Sequence, residues 1–155
     1  MDYKLITEQL SALSEGVTSR VTVLSNASAL LYHSLGRLNW CGFYLFDGKD
    51  LILGPFQGRT ACVKIPLGRG VCGTAAATGK TQNVPDVHKF AGHIACDGAS
   101  NSELVIPLYV GGALYGVLDI DSPEYCRFSQ EDEEGITSFA RLLTDIIGKT
   151  EKEII

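Results

Sequence analysis

Residues capable of redox, acid–base or metal chemistry lie close together in the segment GHIACDGASNSE, at positions 92–103. It contains His93, Cys96, Asp97 and Glu103, and its remaining residues carry too little apolar surface to pack as a strand or a helix. Reactive cysteines act as thiolates and lie at partly exposed positions rather than in the core. We therefore interpret the segment as a loop that presents Cys96 for chemistry.

Five cysteines are present, an odd number with no Cys-x-x-Cys pair: Cys41, Cys62, Cys72, Cys96 and Cys126. Cytosolic cysteines are core fillers, metal ligands or redox catalysts, since that compartment keeps thiols reduced. A zinc site is one alternative, formed by two histidines and two of these cysteines: His88, His93, Cys96 and either Cys62 or Cys72. Structural zinc favours closely spaced ligand pairs, and only His93 and Cys96 are close. We expect no bound metal.

The acidic pair in LDID is a second candidate for chemistry. Asp119 and Asp121 are two residues apart, so on a strand they point to the same face and repel each other. One of them should be protonated or await a cation. The alternative is an ordinary strand end, with Asp121 opening a turn at Ser122 and Pro123. Glu103, at the base of the neighbouring predicted strand, favours the functional interpretation.

Two further patterns have both a functional and a structural interpretation. Trp40 and Tyr44 share a face of a predicted strand, where they could fill the core or line a pocket for a small apolar or thioether group. GRGVCG, at 68–73, matches a dinucleotide-binding turn, but the helix after it ends early, at Gly79. We interpret its glycines as a tight strand-to-helix turn, with Cys72 just inside the helix start, where the dipole is expected to lower its pKa.

Periodicity predicts the elements that position these residues. Helices are expected over 3–35, interrupted at Gly16, and after the capping pair Ser129 and Asp132. Hairpins are predicted at DGKD and at the pair Gly111-Gly112. ACVKIPL and TQNV are predicted as strands, and VCGTAAATG as a short helix.

This order of elements predicts an α+β fold in a single domain over residues 1–155. Hairpins imply a central antiparallel sheet, with the N- and C-terminal helices on one face. The short helix and a loop over 85–102 would cover a pocket on the other face, since loops of this length are usually functional.

Composition excludes several classes of partner. The net charge of −5 argues against nucleic acid and anionic membrane surfaces, which attract clustered Lys and Arg. The sequence has no signal-peptide pattern and no apolar run of the roughly 18 residues that a membrane-spanning helix needs. We expect a cytoplasmic protein.

Three segments carry a resemblance to a known family: LNWCGFYLF, the run from LGPFQGRTACVKIPL to NSELVIPL, and GVLDIDSP. Over about residues 36–147 the chain resembles the free methionine-(R)-sulfoxide reductases, which are built on a GAF domain. The resemblance implies a cysteine that attacks the sulfoxide and becomes a sulfenic acid. A second cysteine then forms a disulfide, which thioredoxin reduces.

Matched motif by motif, the resemblance implies that Cys96 is the nucleophile and that Cys62 and Cys72 are candidate resolving thiols. Cys41 and Cys126 lie outside the family's motif positions and are expected to be bystanders. Because a disulfide needs Cα atoms about 5.5 Å apart, the loop is expected to move during the cycle.

The resemblance also implies a substrate pocket. Trp40 and Tyr44 would contact the methyl–sulfur end of the substrate, and three carboxylates would contact its polar end: Glu103, Asp119 and Asp121. This agrees with the residue chemistry, since sulfoxide reduction needs a thiolate and an acid, and the free amino acid carries an ammonium group that carboxylates bind.

The expected partners are free methionine sulfoxide and thioredoxin, with no bound cofactor, and an exposed helical face could support a homodimer. Two other functions stay open at this point. One is a ligand-sensing GAF module without chemistry, and the other is a thiol redox sensor without sulfoxide reductase activity.

Overall fold

Two helices begin the chain in the computed structural model, which describes residues 1–94, 96 and 98–150. Helix α1 spans Tyr3–Leu13 and α2 spans Arg20–Leu35. Each begins at a polar N-cap, Asp2 for α1 and Ser19 for α2, whose side chain accepts a hydrogen bond from a backbone N–H of the first turn. The two predicted helices are therefore confirmed.

The described residues form one six-stranded sheet. Its strands are β1 (Trp40–Phe46), β2 (Asp50–Gly58), β3 (Lys64–Pro66), β4 (Gln82–Val84), β5 (Ser102–Val110) and β6 (Ala113–Ser122). Neighbouring strands are antiparallel in the order β3-β2-β1-β6-β5-β4. The β1–β2 and β5–β6 pairs are the two predicted hairpins, so the antiparallel sheet follows from turn chemistry.

Two more helices complete the fold, α3 at Gly70–Thr78 and α4 at Gln130–Gly148. Helix α3 ends at Gly79, as predicted, because this residue adopts a left-handed conformation. Helix α4 begins with a capping box, in which the Ser129 side chain and the Asp132 side chain each accept from the other's backbone N–H. No helix of the described residues is long and apolar enough to cross a membrane.

Strand alternation divides the core into two layers. The helix-side face packs against α2 and α4, on which α1 packs in turn, and includes Cys41, Phe43, Leu104, Leu118 and Ile120. The pocket-side face packs against α3 and includes Trp40, Tyr44, Val105 and Val117. The predicted α+β arrangement, with terminal helices on one face and a covered pocket on the other, is confirmed.

The third strand is shorter than the sequence predicts. ACVKIPL covers positions 61–67, but only Lys64–Pro66 is a strand, paired with the start of β2. Cys62, two residues before the strand, is held away from regular pairing, because it is disulfide-bonded and its carbonyl accepts a hydrogen bond from the Tyr44 hydroxyl. Sequence propensity could not reveal this constraint, which comes from distant residues.

The glycines of GRGVCG have steric reasons to be glycine. Gly70 has a φ of +64°, in the left-handed region. A Cβ at Gly73 would lie 2.6 Å from the carbonyl oxygen of Pro66, closer than real Cβ atoms approach. The motif therefore forms a tight β3–α3 turn in an antiparallel fold, as we interpreted it.

Candidate functional site

A cavity lies on the pocket-side face, between α3, the sheet and the loop over 85–101, which we call the covering loop. Its lining includes every pocket residue expected from the sequence except one cysteine: Trp40, Tyr44, Cys72, Cys96, Glu103, Asp119 and Asp121. The exception, Cys62, is bonded to the lining residue Cys96.

Stacked aromatic rings form one wall of the cavity. The Trp40 ring centroid lies 5.8 Å from that of Tyr44 and 5.2 Å from that of Phe56, with interplanar angles of 23° and 15°. Trp40 Nε1 donates to the carbonyl of Arg59 over 3.1 Å, and the Tyr44 hydroxyl donates to the carbonyl of Cys62 over 2.9 Å. The predicted shared face of Trp40 and Tyr44 is confirmed, and their orientations are fixed by hydrogen bonds.

Three carboxyl groups converge at the opposite end of the cavity. Glu103 on β5 pairs with Asp121 on β6, and Asp119 is the next residue on the same face of β6. All three side chains are buried. Asp119 and Asp121 share a face because they are two residues apart on β6, and strand pairing brings Glu103 beside them. The three acids therefore meet at one end of the sheet, as the sequence predicted.

Burial is the main influence on the protonation of this cluster. It raises the pKa of Glu103 well above the usual range, and repulsion from Asp119 and Asp121 raises that pKa further. Burial also raises the pKa of Asp119, although hydrogen bonds from Glu103 and Cys72 oppose the increase. Because a carboxylate oxygen of Glu103 and one of Asp119 lie within 4.8 Å of each other, the two groups titrate as a pair. The arrangement therefore favours keeping a proton on the pair.

Cys72 lies beside these acids, and its environment disfavours the thiolate. Its Sγ is 3.9 Å from Oε2 of Glu103, and the side chain is buried. Burial raises the pKa of the Cys72 thiol well above its ordinary value, with added repulsion from Asp119 and Glu103. The expectation that the helix dipole lowers this pKa is wrong, because burial and two carboxylates outweigh the dipole.

Cys62 and Cys96 are joined by a disulfide, with their Cα atoms 5.5 Å apart. The bond connects the segment before β3 with the covering loop across 34 positions of sequence. Of the two candidate partners for Cys96, the structure pairs it with Cys62, and Cys72 keeps a free thiol. Cys96 is only partly buried, in contrast to Cys72.

Two backbone hydrogen bonds hold the end of the covering loop. The Val87 N–H donates to the carbonyl of Asn101, and the Asn101 N–H donates to the carbonyl of Ser122 on β6. Between these anchors the loop carries His93, Ile94 and Cys96 over the cavity. Asp97, which the sequence also singled out, lies outside the described residues.

The alternative zinc set is not assembled. His88 Nε2 is hydrogen-bonded to Oδ1 of Asn101 over 2.9 Å, and two of the proposed sulfur ligands, Cys62 and Cys96, are consumed by the disulfide. His93 instead faces the carboxylates, with its Nε2 3.8 Å from Oε1 of Glu103. Burial lowers the pKa of His93, which favours the neutral imidazole.

Sequence reasoning missed Arg69 and Ser100, which also line the cavity. Arg69 lies within the GRGVCG turn and Ser100 within the polar loop, so only their membership of these segments could have indicated them. Cys41 is buried on the helix-side face and Cys126 is exposed before α4, and neither lines the cavity. Their role as bystanders stays a prediction.

Comparisons with known proteins place this geometry in a family. The GAF domain model matches residues 19–147. Protein YtsP of Bacillus subtilis is 56% identical over 144 residues, covering 92% of this chain and 88% of the relative. The free methionine-R-sulfoxide reductase of Escherichia coli is 51% identical over 149 residues, covering 96% of this chain and 90% of that enzyme.

Solved structures agree with the sequence comparison. The fRMsr of Staphylococcus aureus, 46% identical, superposes in its reduced form with a TM-score of 0.91, covering 94% of this chain and 95% of that one. Its complex with substrate superposes with a TM-score of 0.89 and the same coverage.

Proposed function

The chain belongs to the free methionine-R-sulfoxide reductases of the GAF-domain family, and from this membership we propose that it reduces free L-methionine-(R)-sulfoxide through its own pocket cysteines. The observation that carries the proposal is the Cys62–Cys96 disulfide, because Cys96 lines the cavity. The same cavity has an aromatic wall and a cluster of buried carboxyl groups. The cysteine pair supplies two electrons, so the reaction requires no bound cofactor.

In the first step, the thiolate of Cys96 attacks the sulfur of the sulfoxide. Oxygen passes to Cys96, which becomes a sulfenic acid, and methionine is released with its sulfur reduced by two electrons. Cys96 suits this role because it is partly exposed on the covering loop, whereas Cys72 is buried beside acids that disfavour its thiolate. The Glu103–Asp119 pair supplies the proton that the sulfoxide oxygen takes.

In the second step, the thiol of Cys62 attacks the sulfenic sulfur of Cys96. A disulfide forms and the oxygen leaves as water. The 5.5 Å separation of the Cα atoms supports this pair, since it is the usual separation for disulfides. An external dithiol, which we propose to be thioredoxin, then reduces the disulfide by thiol–disulfide exchange. This restores both thiols of the enzyme and leaves the donor oxidised. This supply of reductant would place the enzyme in the cytoplasm.

The pocket also accounts for selection of the free amino acid. The methyl–sulfur end fits the aromatic wall of Trp40 and Tyr44, which offers polarizable surface to sulfur. The substrate ammonium group pairs with the carboxylate of Asp121. A peptide-bound methionine sulfoxide lacks this ammonium group and could not form this ion pair.

Assembly into a homodimer is a further part of the proposal. Three large apolar side chains of the N-terminal helical region are exposed: Leu5, Leu13 and Val21. Sedimentation velocity over a range of concentrations tests this, since a monomer at all concentrations would contradict it.

The test of the function is NADPH consumption coupled through thioredoxin and thioredoxin reductase. Free methionine-(R)-sulfoxide, its (S) epimer and hydrogen peroxide serve as alternative oxidants. We expect turnover with the (R) epimer alone. Turnover with peroxide alone would indicate a thiol sensor, and binding of the (R) epimer without turnover would indicate a sensing module.

A further inference from the structure

Three buried side chains in the cavity bring potential metal ligands together. The Sγ of Cys72, a carboxylate oxygen of Glu103 and one of Asp119 all lie within 4.8 Å of one another. Each residue is at least 94% buried. Spacing of this kind would allow one ion to contact all three atoms after small side-chain adjustments.

A second observation points to a ligand at the same place. Oδ1 of Asp119 is buried and has no hydrogen-bond partner among the described residues. A buried carboxylate oxygen without a partner costs free energy, because it has given up its water. A bound cation would satisfy this oxygen directly.

The three residues are also held rigidly. Cys72 lies on α3, Glu103 on β5 and Asp119 on β6, and helix α3 packs against both strands. None of the three lies on the covering loop. A site built on regular elements keeps its ligands in place whether the loop is open or closed.

The donor set selects the class of metal. Mg²⁺ and Ca²⁺ prefer oxygen ligands alone, whereas a thiolate with two carboxylates suits Zn²⁺. Three protein ligands leave a fourth position open, and all three residues line the cavity. His93 is near it, with its Nε2 3.8 Å from Oε1 of Glu103, and water is the other candidate.

We propose that Cys72, Glu103 and Asp119 bind one Zn²⁺ ion in a site that closes the cavity to substrate. This gives Cys72 a role distinct from the disulfide pair. Because Cys72 is not part of the Cys62–Cys96 bond, its thiol is available as a ligand in the disulfide form of the protein.

One consequence rests on the proposed function. If the substrate uses the same carboxyl groups, metal and substrate exclude each other, and each weakens the apparent affinity of the other. The metal would then hold the enzyme in an inactive and reversible state.

The test uses the disulfide form, in which Cys62 and Cys96 cannot act as thiolate ligands. Co²⁺ replaces Zn²⁺ as a spectroscopic probe, because a thiolate bound to Co²⁺ gives a charge-transfer band in the near ultraviolet. We expect this band to saturate at one Co²⁺ per chain and to disappear when Zn²⁺ is added. Added methionine sulfoxide should also reduce it, and a band that substrate leaves unchanged would overturn the shared site while retaining the metal site.

Variants identify the ligands. Cys72→Ser should abolish the band, and Glu103→Gln and Asp119→Asn should each weaken Co²⁺ binding by at least about tenfold. Two matched controls, Cys41→Ser for a buried thiol and Cys126→Ser for an exposed one, should retain the band. Absence of a band in the unaltered disulfide form, or its survival in Cys72→Ser, would overturn the proposal. If Cys72→Ser does not fold, unchanged binding in both amide variants would overturn it. The band is measured without turnover, so a failure of the reductase assay would not affect this result.

Discussion

Cys72 and Cys96 belong to the same cavity, yet their surroundings give them different chemistry. Cys72 is buried among acids that raise its pKa, whereas Cys96 is on a loop and partly exposed. A buried thiol beside carboxylates is a weak nucleophile at neutral pH, because little of it is ionised. Burial and nearby charge therefore distinguish two cysteines that the sequence had both put forward for redox chemistry.

The first prediction concerns the disulfide pair. Cys96→Ser should bind substrate and yield no methionine, because no thiolate attacks the sulfoxide. Cys62→Ser should release one methionine per chain in a single turnover and then stop as a sulfenic acid. Trapping with dimedone followed by mass spectrometry checks both outcomes. Full single-turnover activity in Cys96→Ser would show that another thiol, with Cys72 the first candidate, is the nucleophile.

The second prediction concerns the cysteines outside the cavity. Replacing Cys41 and Cys126 with Ala should keep thioredoxin-coupled turnover within a few-fold, since neither side chain lines the cavity. The measurement is steady-state NADPH consumption beside the unaltered protein. Lost recycling with intact first-turnover chemistry would place one of the two in the thiol relay.

The third prediction separates the roles of the carboxyl groups. Asp121→Asn should raise KM by about ten- to a hundredfold, because a charged hydrogen bond to the substrate ammonium contributes roughly 1.5–3 kcal/mol. Glu103→Gln or Asp119→Asn should instead lower kcat by about 10²–10⁴, the usual contribution of a general acid. Steady-state kinetics of the three variants distinguish these effects.

N-acetylated methionine sulfoxide is the matched control substrate for this third prediction. It retains the sulfoxide and lacks the ammonium charge, so the unaltered enzyme should reduce it poorly. Equal reduction of both compounds would rule out the ammonium-binding role of the carboxylates.

Among the elements, α3 is positioned by a close approach of its backbone to β3. The Gly73 N–H donates to the carbonyl of Arg69, and the carbonyl of Gly73 accepts from the Gly68 N–H over 2.8 Å. This packing holds Cys72, one residue earlier, against the sheet. The turn thus determines where the buried thiol lies.

The fourth prediction tests this approach with two helical glycines. Alanine is normally favoured over glycine in a helix by about 1 kcal/mol. At Gly73 the new Cβ would meet the Pro66 carbonyl at 2.6 Å, so we expect Gly73→Ala to destabilise the fold by roughly 1–3 kcal/mol. Gly148→Ala is the control, because its Cβ would make an ordinary 3.6 Å contact with Val110. Urea unfolding measures both, and equal stability of the two variants would contradict the prediction.

At the scale of the whole molecule, one polar cluster joins the first helix to the last. The Tyr3 hydroxyl of α1 donates to Oδ1 of Asp132 on α4 over 2.5 Å, and Nη1 of Arg127 lies 3.2 Å from Oδ2 of the same carboxylate. Arg127 also donates to the carbonyls of Leu35 and Gly36 at the end of α2. The cluster therefore connects all three helices of the helix-side layer.

The fifth prediction is a pH dependence of stability at Asp132. Partial burial would raise its pKa, but hydrogen bonds from Tyr3 and Ser129 and the charge of Arg127 lower it below the ordinary 3.8. A carboxyl with a lowered folded pKa stabilises the protein above its unfolded pKa and loses this contribution as pH falls through the folded value. Asp132→Asn should therefore cost roughly 1–3 kcal/mol at neutral pH.

The difference in unfolding free energy between Asp132→Asn and the unaltered protein should persist down to about pH 4 and shrink at lower pH. Urea unfolding at a series of pH values measures it. A difference that stays constant below pH 4 would show that the charge of Asp132 contributes nothing.

The sequence by itself determined the architecture and seven of the residues that line the cavity. Strand period placed Trp40 with Tyr44 and Asp119 with Asp121, because alternate residues of a strand share a face. Turn and cap residues fixed the hairpins and the start of α4, since these signals are local. Shared strand faces, hairpin turns and helix caps depend on residues that are close together in the chain, so they can be predicted from the sequence.

Only the tertiary structure decided which cysteine joins Cys96, how strongly the Cys72 thiol is protonated, and why β3 is short. It also brought Arg69 and Ser100 to the cavity. Each of these results depends on distance and burial among segments far apart in the chain. The pKa of Cys72 shows the reason most clearly. Its position at the start of a helix predicts a lowered pKa, but burial beside acids on β5 and β6 raises it instead.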